Sequence, residues 1–132
     1  MRKSIFLFTL CLTLTILFYF PITSSAEWTK VVKNTNGDTL YVDFGRIRKH
    51  GGYVYIWILD DYLKPNKLGY LSAKLYTQVH CPLYRWKVLS WSWYIEPMGG
   101  GTGKTDNNPD KEWRYSVPNS VVEYIQKRVC NF

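Results

Sequence analysis

The chain has 132 residues, of which 17 are Lys or Arg and 10 are Asp or Glu, so its formal net charge at pH 7 is +7. Phe, Trp and Tyr together make up 17% of the chain, which favours a β-rich domain with large aromatic contacts. The length allows one small domain, and the positive charge favours anionic partners such as polysaccharides, lipid head groups or acidic proteins. We expect no nucleic-acid partner, because the N-terminal segment indicates export.

This segment has the pattern of a secretory signal peptide, residues 1–26. Two cations precede an uncharged apolar run over residues 5–22, and small residues follow as far as Ala26. We therefore expect cleavage after Ala26, a mature domain of residues 27–132, and no membrane span in that domain. The alternative is an uncleaved anchor, because the run is just long enough to cross a bilayer. Cys11 lacks the preceding small residue of a bacterial lipobox, so we expect no lipid anchor.

Removal of the signal peptide leaves two cysteines, Cys81 and Cys130. An even pair in an exported chain indicates a disulfide rather than a metal site or a catalytic thiol. A bridge between them would close a loop of about 50 residues and would stabilise the fold by roughly 4 kcal/mol in the chain-entropy model. The same cleavage removes two cations and no acid, so the net charge falls to about +5.

In chain order, the first predicted elements are two strands joined by a turn. Residues 27–32 and 39–44 are rich in β-forming residues, and the Asn-Gly pair between them favours a hairpin. The cationic run over residues 46–50 is either a solvated turn, which we prefer, or a binding patch. Residues 53–59 are almost continuously apolar, which indicates a central strand covered on both faces.

Two further strands follow, and they carry the candidate site. Residues 71–81 alternate, so the odd-numbered side chains through Cys81 share an apolar face and the even-numbered ones share the other. The second strand, residues 84–94, directs Trp86 and Val88 inward. If no bulge intervenes, the same alternation directs the following residues outward: Arg85, Lys87, Leu89, Trp91 and Trp93. A bulge would return the last two rings to the core.

The remaining third of the chain predicts a glycine-rich connection, a short strand and one helix. Residues 99–110 indicate a long flexible connection, and residues 113–117 a last extended piece. Ser120 and Glu123 form a capping box at the start of a helix that ends near Cys130. The predicted apolar stripe of this helix consists of Val122, Ile125 and Val129. Gln126, Lys127 and Arg128 are predicted to lie away from the stripe.

These elements predict an α+β fold, an antiparallel sheet of five to six strands with one C-terminal helix packed on one face. The helix is too short to cover both faces. We therefore predict that the other face, with Tyr41, Trp91 and Trp93, is a dimer interface or a binding platform. The two histidines and the adjacent Asp60 and Asp61 have no spacing typical of a metal site or an acid–base pair, so we expect no enzyme activity and no cofactor.

An ordered set of short matches runs through residues 27–132. It consists of Trp28, Tyr41-Val42-Asp43, Leu59-Asp60-Asp61-Tyr62, Ser72 with Lys74, Cys81 followed by Tyr84-Arg85, Trp113, Pro118-Asn119-Ser120 and Cys130. In this set the chain resembles the bacterial surface-adhesin protein E family. The resemblance implies a bent sheet whose concave face holds the disulfide-tied helix, dimerisation through the sheet, and binding of host matrix or plasma glycoproteins. The adhesin that names the family is a lipoprotein, and the missing lipobox separates this chain from it.

The sequence therefore predicts an exported, non-enzymatic binding domain that is periplasmic, on the cell surface or secreted. Its expected partners are a host extracellular-matrix protein or an anionic glycan, and a second copy of the chain. The alternative is a periplasmic, envelope-associated structural or regulatory domain with no host ligand. Cations next to aromatic rings suit acidic ligands, and the predicted ligand-binding residues are Lys74, Tyr76, Arg85, Lys87, Trp91 and Trp93.

Overall fold

The computed structural model describes residues 26–132, so the predicted signal peptide lies outside the described residues except for Ala26. The described chain forms a bent antiparallel sheet and one α-helix. The strands are β1 (Thr29–Lys33), β2 (Thr39–Val42), β3 (Arg48–His50), β4 (Tyr53–Asp61), β5 (Ser72–His80), β6 (Arg85–Tyr94), β7 (Gly103–Asp106) and β8 (Arg114–Tyr115). The helix, α1, spans Val121–Cys130 and packs on the concave face.

Six strands form the main path of the sheet in the order β1-β2-β4-β5-β6-β7. The two short strands attach to this path, β3 to β4 and β8 to β6. The predicted antiparallel sheet with one C-terminal helix is therefore confirmed, and β4 and β5 lie at its centre. The predicted hairpin is also present, because β1 pairs with β2 across a turn in which Gly37 has a φ of 92°.

Strand β7 lies where the sequence predicted a flexible connection, and that prediction is wrong. Gly103 to Asp106 pair with Tyr94 to Trp91 of β6. A Cβ atom at Gly103 would collide with the carbonyl oxygen of Trp93. The absence of a side chain at this one position lets the glycine-rich segment join the sheet as a strand.

A β-bulge at Leu89 changes which side chains of β6 face the helix. Tyr76 pairs with Ser90 but Thr77 pairs with Val88, so Leu89 has no partner on β5. Directly paired residues share a face of the sheet. Beyond the bulge Trp91 pairs with Leu75 and Trp93 with Ala73, which places both rings on the concave face. The predicted outward orientation of Trp91 and Trp93 is therefore wrong, because the extra residue reverses the alternation.

The core lies between the helix and the concave face. Its buried side chains are Val42, Val54, Ile56 and Val79 from the sheet and Ile125 and Val129 from the helix. The predicted disulfide between Cys81 and Cys130 is present and joins the end of β5 to the end of the helix. Gln126 was predicted to lie away from the apolar stripe, but only 1% of its surface is exposed. A polar side chain thus enters the layer between helix and sheet.

The first turn of the helix has the predicted cap. The hydroxyl of Ser120 accepts a hydrogen bond from the backbone N–H of Glu123 at 3.2 Å. The Glu123 carboxylate reaches one residue further back than in a standard capping box and accepts from the backbone N–H of Asn119 at 2.6 Å. The same carboxylate pairs with Lys127 at 2.9 Å. The three contacts fix the helix start against the chain that leads into it.

Candidate functional site

The convex face of the sheet, which the helix does not cover, carries a dense group of aromatic and cationic side chains. Strand alternation and register place on this one face residues from β3, β4, β5 and β6, joined by Trp113 from the segment before β8. We call this group the convex platform: Arg48, His50, Tyr53, Tyr55, Trp57, Tyr76, Gln78, His80, Arg85, Lys87 and Trp113.

Three rings in the middle of the platform contact one another. The ring centroids of Trp57 and Tyr76 are 4.8 Å apart, and those of Tyr55 and Tyr76 are 6.1 Å apart. The side-chain amide of Gln78 donates a hydrogen bond to the Tyr55 hydroxyl at 3.0 Å. All four side chains are half-buried, so their partners fix them while one side stays open to solvent. The three packed rings therefore form a mainly apolar surface with a few polar groups at its edges.

Trp113 organises the cationic end of the platform. Its ring stacks on Tyr53 at a centroid distance of 5.6 Å and an interplanar angle of 16°. The guanidinium carbon of Arg85 and the ammonium of Lys87 lie 4.7 and 4.9 Å from the centre of the Trp113 ring. Such cation–π contacts contribute about 0.5–1 kcal/mol each at exposed sites. They hold two positive charges side by side without neutralising them.

Strand β3 adds positive charge to the other side of the platform. Arg48, Lys49 and His50 line an open pocket together with Tyr55 and Tyr76. Arg48 pairs with Tyr55, and His50 pairs with Tyr53. The sequence favoured a solvated turn for residues 46–50, but in the structure Arg48–His50 form strand β3, and its exposed residues border the rings.

The structure brings together half of the residues that the sequence predicted for ligand binding. Tyr76, Arg85 and Lys87 belong to the convex platform. Lys74 lies on the same face but apart from them, with its ammonium 4.8 Å from the Tyr94 ring and its chain packed against Gly99. Trp91 and Trp93 stack on each other on the opposite face, with centroids 5.7 Å apart.

Sequence reasoning missed most aromatic members of the platform. The alternation of Tyr53, Tyr55 and Trp57 with aliphatic residues was a usable signal, since it places the three rings on one face. Trp113 had no such signal, because its position depends on the pairing of β8 with β6.

No residue of the platform is acidic, and within residues 26–132 no cluster of side chains is suited to hold a metal ion. No helix in the same range is long and apolar enough to cross a membrane.

Comparisons with known proteins agree with this architecture. The crystal form II structure of Haemophilus influenzae protein E superposes with a TM-score of 0.62 at 18% identity, covering 84% of this chain and 92% of that one. A crystal structure of protein E from non-typeable Haemophilus influenzae gives 0.58 at 17% identity, covering 84% and 80%. Curated protein sequences gave no match. The model of the family described as surface-adhesin protein E matches residues 28–131, and the chain therefore belongs to that family.

Proposed function

We propose that this chain is an exported, non-enzymatic adhesin-type domain whose convex platform binds anionic segments of host matrix proteins or anionic glycans. Membership of the family supports a surface adhesin-like binding domain, and with it export. The observation that carries the finer proposal is the pairing of Arg85 and Lys87 with an aromatic ring instead of a carboxylate.

Cations elsewhere in the domain do pair with carboxylates, unlike Arg85 and Lys87. The salt bridges found among residues 26–132 use other cations: Arg46 with Asp43, Arg114 with Asp110, and Lys127 with Glu123. The platform cations therefore remain available to an incoming carboxylate or sulfate, for which a guanidinium offers two parallel donors. The neighbouring rings offer flat apolar surfaces that suit the bodies of sugars or side chains next to such an anion. Charge and shape favour the same class of ligand.

A charge-reversal pair tests the platform. We expect Arg85→Glu/Lys87→Glu to weaken binding to heparin by at least tenfold, because each change replaces attraction by repulsion. The decrease should shrink as the salt concentration rises, since exposed charges are screened within about 10 Å at 0.1 M salt. Surface plasmon resonance with immobilised heparin, followed by a panel of matrix glycoproteins, measures both effects.

The matched control reverses two cations that lie in the turn between β4 and β5. Lys64→Glu/Lys67→Glu produces the same change in net charge on exposed residues outside the platform. We expect this variant to keep most of the heparin affinity. An equal loss in both variants would mean that net charge alone attracts heparin and that the platform is not the site.

The alternative function is a periplasmic envelope domain with no host ligand, and the residues before Cys11 favour it because they do not form a lipobox. Protease shaving of intact cells, followed by fractionation, separates the two. Digestion on intact cells supports the adhesin, whereas protection until the outer membrane is opened contradicts it.

Mass spectrometry of the same fraction tests the proposed cleavage after Ala26. Sedimentation of the purified protein tests the proposed homodimer through the sheet, which a monomer at all concentrations would contradict.

A further inference from the structure

The convex platform contains a row of four side chains that crosses four strands. Arg48 on β3 pairs with Tyr55 on β4. Tyr55 pairs with Gln78 on β5, which in turn pairs with Lys87 on β6. Directly paired residues share a face of the sheet, so the four side chains form one line on the convex face. We call this line the cross-strand row; it begins and ends with a cation and has a phenol and an amide between them.

Aromatic rings border the cross-strand row on both sides. Two residues further along the strands, Trp57 of β4 pairs with Tyr76 of β5, and their ring centroids are 4.8 Å apart. On the other side lies Trp113, whose ring stacks on Tyr53 at 5.6 Å. A ligand that lies along the row would therefore contact apolar rings on both flanks, while its two ends would meet the two cations.

The length of the row determines the spacing of the charges that it can bind. Neighbouring strands lie about 4.7–4.9 Å apart, so the three steps from β3 to β6 place the backbones of Arg48 and Lys87 about 14 Å from each other. An extended peptide rises about 3.4 Å per residue and directs every second side chain to the same side. Side chains i and i+4 of such a peptide are therefore also about 14 Å apart, with side chain i+2 midway between them.

Neither terminal cation of the row is paired with an acid. The salt bridges found among residues 26–132 include neither Arg48 nor Lys87. Arg48 is exposed, and the ammonium of Lys87 lies 4.9 Å from the centre of the Trp113 ring. Each cation can therefore donate hydrogen bonds to a carboxylate at one end of a ligand.

The middle of the row offers one donor and one acceptor side by side. The amide of Gln78 donates to the Tyr55 hydroxyl oxygen at 3.0 Å, and this bond uses neither the hydroxyl hydrogen nor the Gln78 carbonyl oxygen. A carboxamide matches this pair, because it has a carbonyl oxygen to accept and an NH₂ group to donate. Sulfate groups only accept, and they would leave the Gln78 oxygen without a donor. The middle of the row thus favours a peptide over a sulfated glycan.

On the basis of the proposed function, we propose that the cross-strand row binds an extended acidic peptide segment that runs across the strands. Its acidic residues are at i and i+4, and an Asn or Gln is at i+2. The two carboxylates pair with Arg48 and Lys87, and the central amide pairs with Tyr55 and Gln78. The side chains at i+1 and i+3 point away from the platform.

Two isomeric peptides test the spacing. Capped Glu-Thr-Asn-Thr-Glu has the predicted pattern, and capped Glu-Thr-Glu-Thr-Asn has the same composition and charge with its acids closer together. Each is titrated at low salt into the purified, disulfide-bonded protein with ¹⁵N-labelled tryptophan, and the indole N–H signals of Trp57 and Trp113, assigned with Trp→Phe variants, report binding. We expect about threefold tighter binding of the first peptide, because an exposed ion pair contributes modestly. Equal affinities, or tighter binding of the isomer, would overturn the inference.

Matched variants show whether the row itself reads the spacing. Arg48→Gln removes one end of the row and should abolish the preference, so that both peptides bind equally; Lys87→Gln should have the same effect. Arg85→Gln removes an equal charge from the neighbouring row, where Arg85 pairs with His80, and should weaken both peptides while keeping their ratio. Thermal unfolding checks that each variant is folded. A preference that survives in folded Arg48→Gln and Lys87→Gln would overturn the inference.

The central amide has its own test. Capped Glu-Thr-Ala-Thr-Glu should bind the parent protein about threefold more weakly than the peptide with Asn. On Tyr55→Phe, which removes the hydroxyl and keeps the ring, the difference between the two peptides should shrink. Equal affinities for the Asn and Ala peptides on the parent protein would overturn the role of Tyr55 and Gln78.

Heparin binding separates this inference from the proposed function. If the parent protein binds heparin through Arg85 and Lys87 but shows no preference between the isomeric peptides, the platform is a binding site for a glycan and the peptide ligand is wrong. If neither heparin nor any of the peptides binds, the proposed function and the peptide ligand are both wrong. A spacing preference that depends on Arg48 and Lys87 supports the peptide ligand, whatever the affinity for heparin.

Discussion

At the scale of single residues, Asp60 is an acidic side chain in a largely apolar environment. It lies on the concave face beside aliphatic side chains, and burial raises the pKa of its carboxyl group from 3.8 to about 6. Between those two values the folded state binds more protons than the unfolded state. The free energy of unfolding therefore falls as the pH rises through this range, and the full penalty is present above about pH 6.

The corresponding prediction is a stabilising substitution with a defined pH dependence. Asp60→Asn should raise the free energy of unfolding by about 1 kcal/mol near pH 7.5, a figure reduced for the partial exposure of the side chain. Near pH 3 the gain should vanish, because Asp60 is then protonated in both states. Guanidinium denaturation at the two pH values measures this. The control Glu112→Gln removes an exposed carboxylate and should change little, and an Asp60→Asn gain that does not depend on pH would contradict the argument.

At the scale of elements, the start of helix α1 depends on one hydroxyl. Ser120→Ala removes the acceptor for the Glu123 backbone N–H and should lower the free energy of unfolding by about 1 kcal/mol. Ser120→Thr retains an acceptor and should lose much less. Urea denaturation of the three proteins side by side makes the comparison. Equal stability of the alanine and threonine variants would show that the cap contributes nothing.

The elements also show what the sequence could and could not predict. Strand β5 and helix α1 were predictable because their period, their cap and Cys81 are all local in sequence. The bulge at Leu89 was not, because the alternation is intact on each side of it and only pairing with β5 decides where the extra residue goes. The polar Ser90 and Ser92 between tryptophans were a partial signal that the rings face the core. Strand β7 depends likewise on the close fit of Gly103 against β6.

The candidate site was likewise predictable only in part. Arg85 and Lys87 could be placed on the outer face because they precede the bulge. Their position over Trp113 could not be predicted, because residues 28 and 26 positions apart meet only through the pairing of β8 with β6. The burial of Gln126 could not be predicted either, because the sequence alone places this polar residue away from the apolar stripe of the helix.

At the scale of the whole molecule, the Cys81–Cys130 bridge holds the helix on the sheet. The double change Cys81→Ser/Cys130→Ser should lower the free energy of unfolding by about 4 kcal/mol in the chain-entropy model, given the separation of 49 residues. Guanidinium denaturation of the variant and of the reduced parent protein should agree. A loss well under 1 kcal/mol would mean that packing of Ile125 and Val129 alone suffices.

The same bridge determines how the domain would carry mechanical load. Tension applied along the backbone passes directly from Cys81 to Cys130 and bypasses the chain between them, which includes β6, β7, β8 and most of the helix. The 49-residue separation corresponds to roughly 170 Å of extended chain that cannot be pulled out while the bond is intact. Arg85, Lys87 and Trp113 lie inside this protected loop. If the proposed ligand binds at these three residues, a pulling force on the domain would leave this binding surface folded for as long as the disulfide is intact.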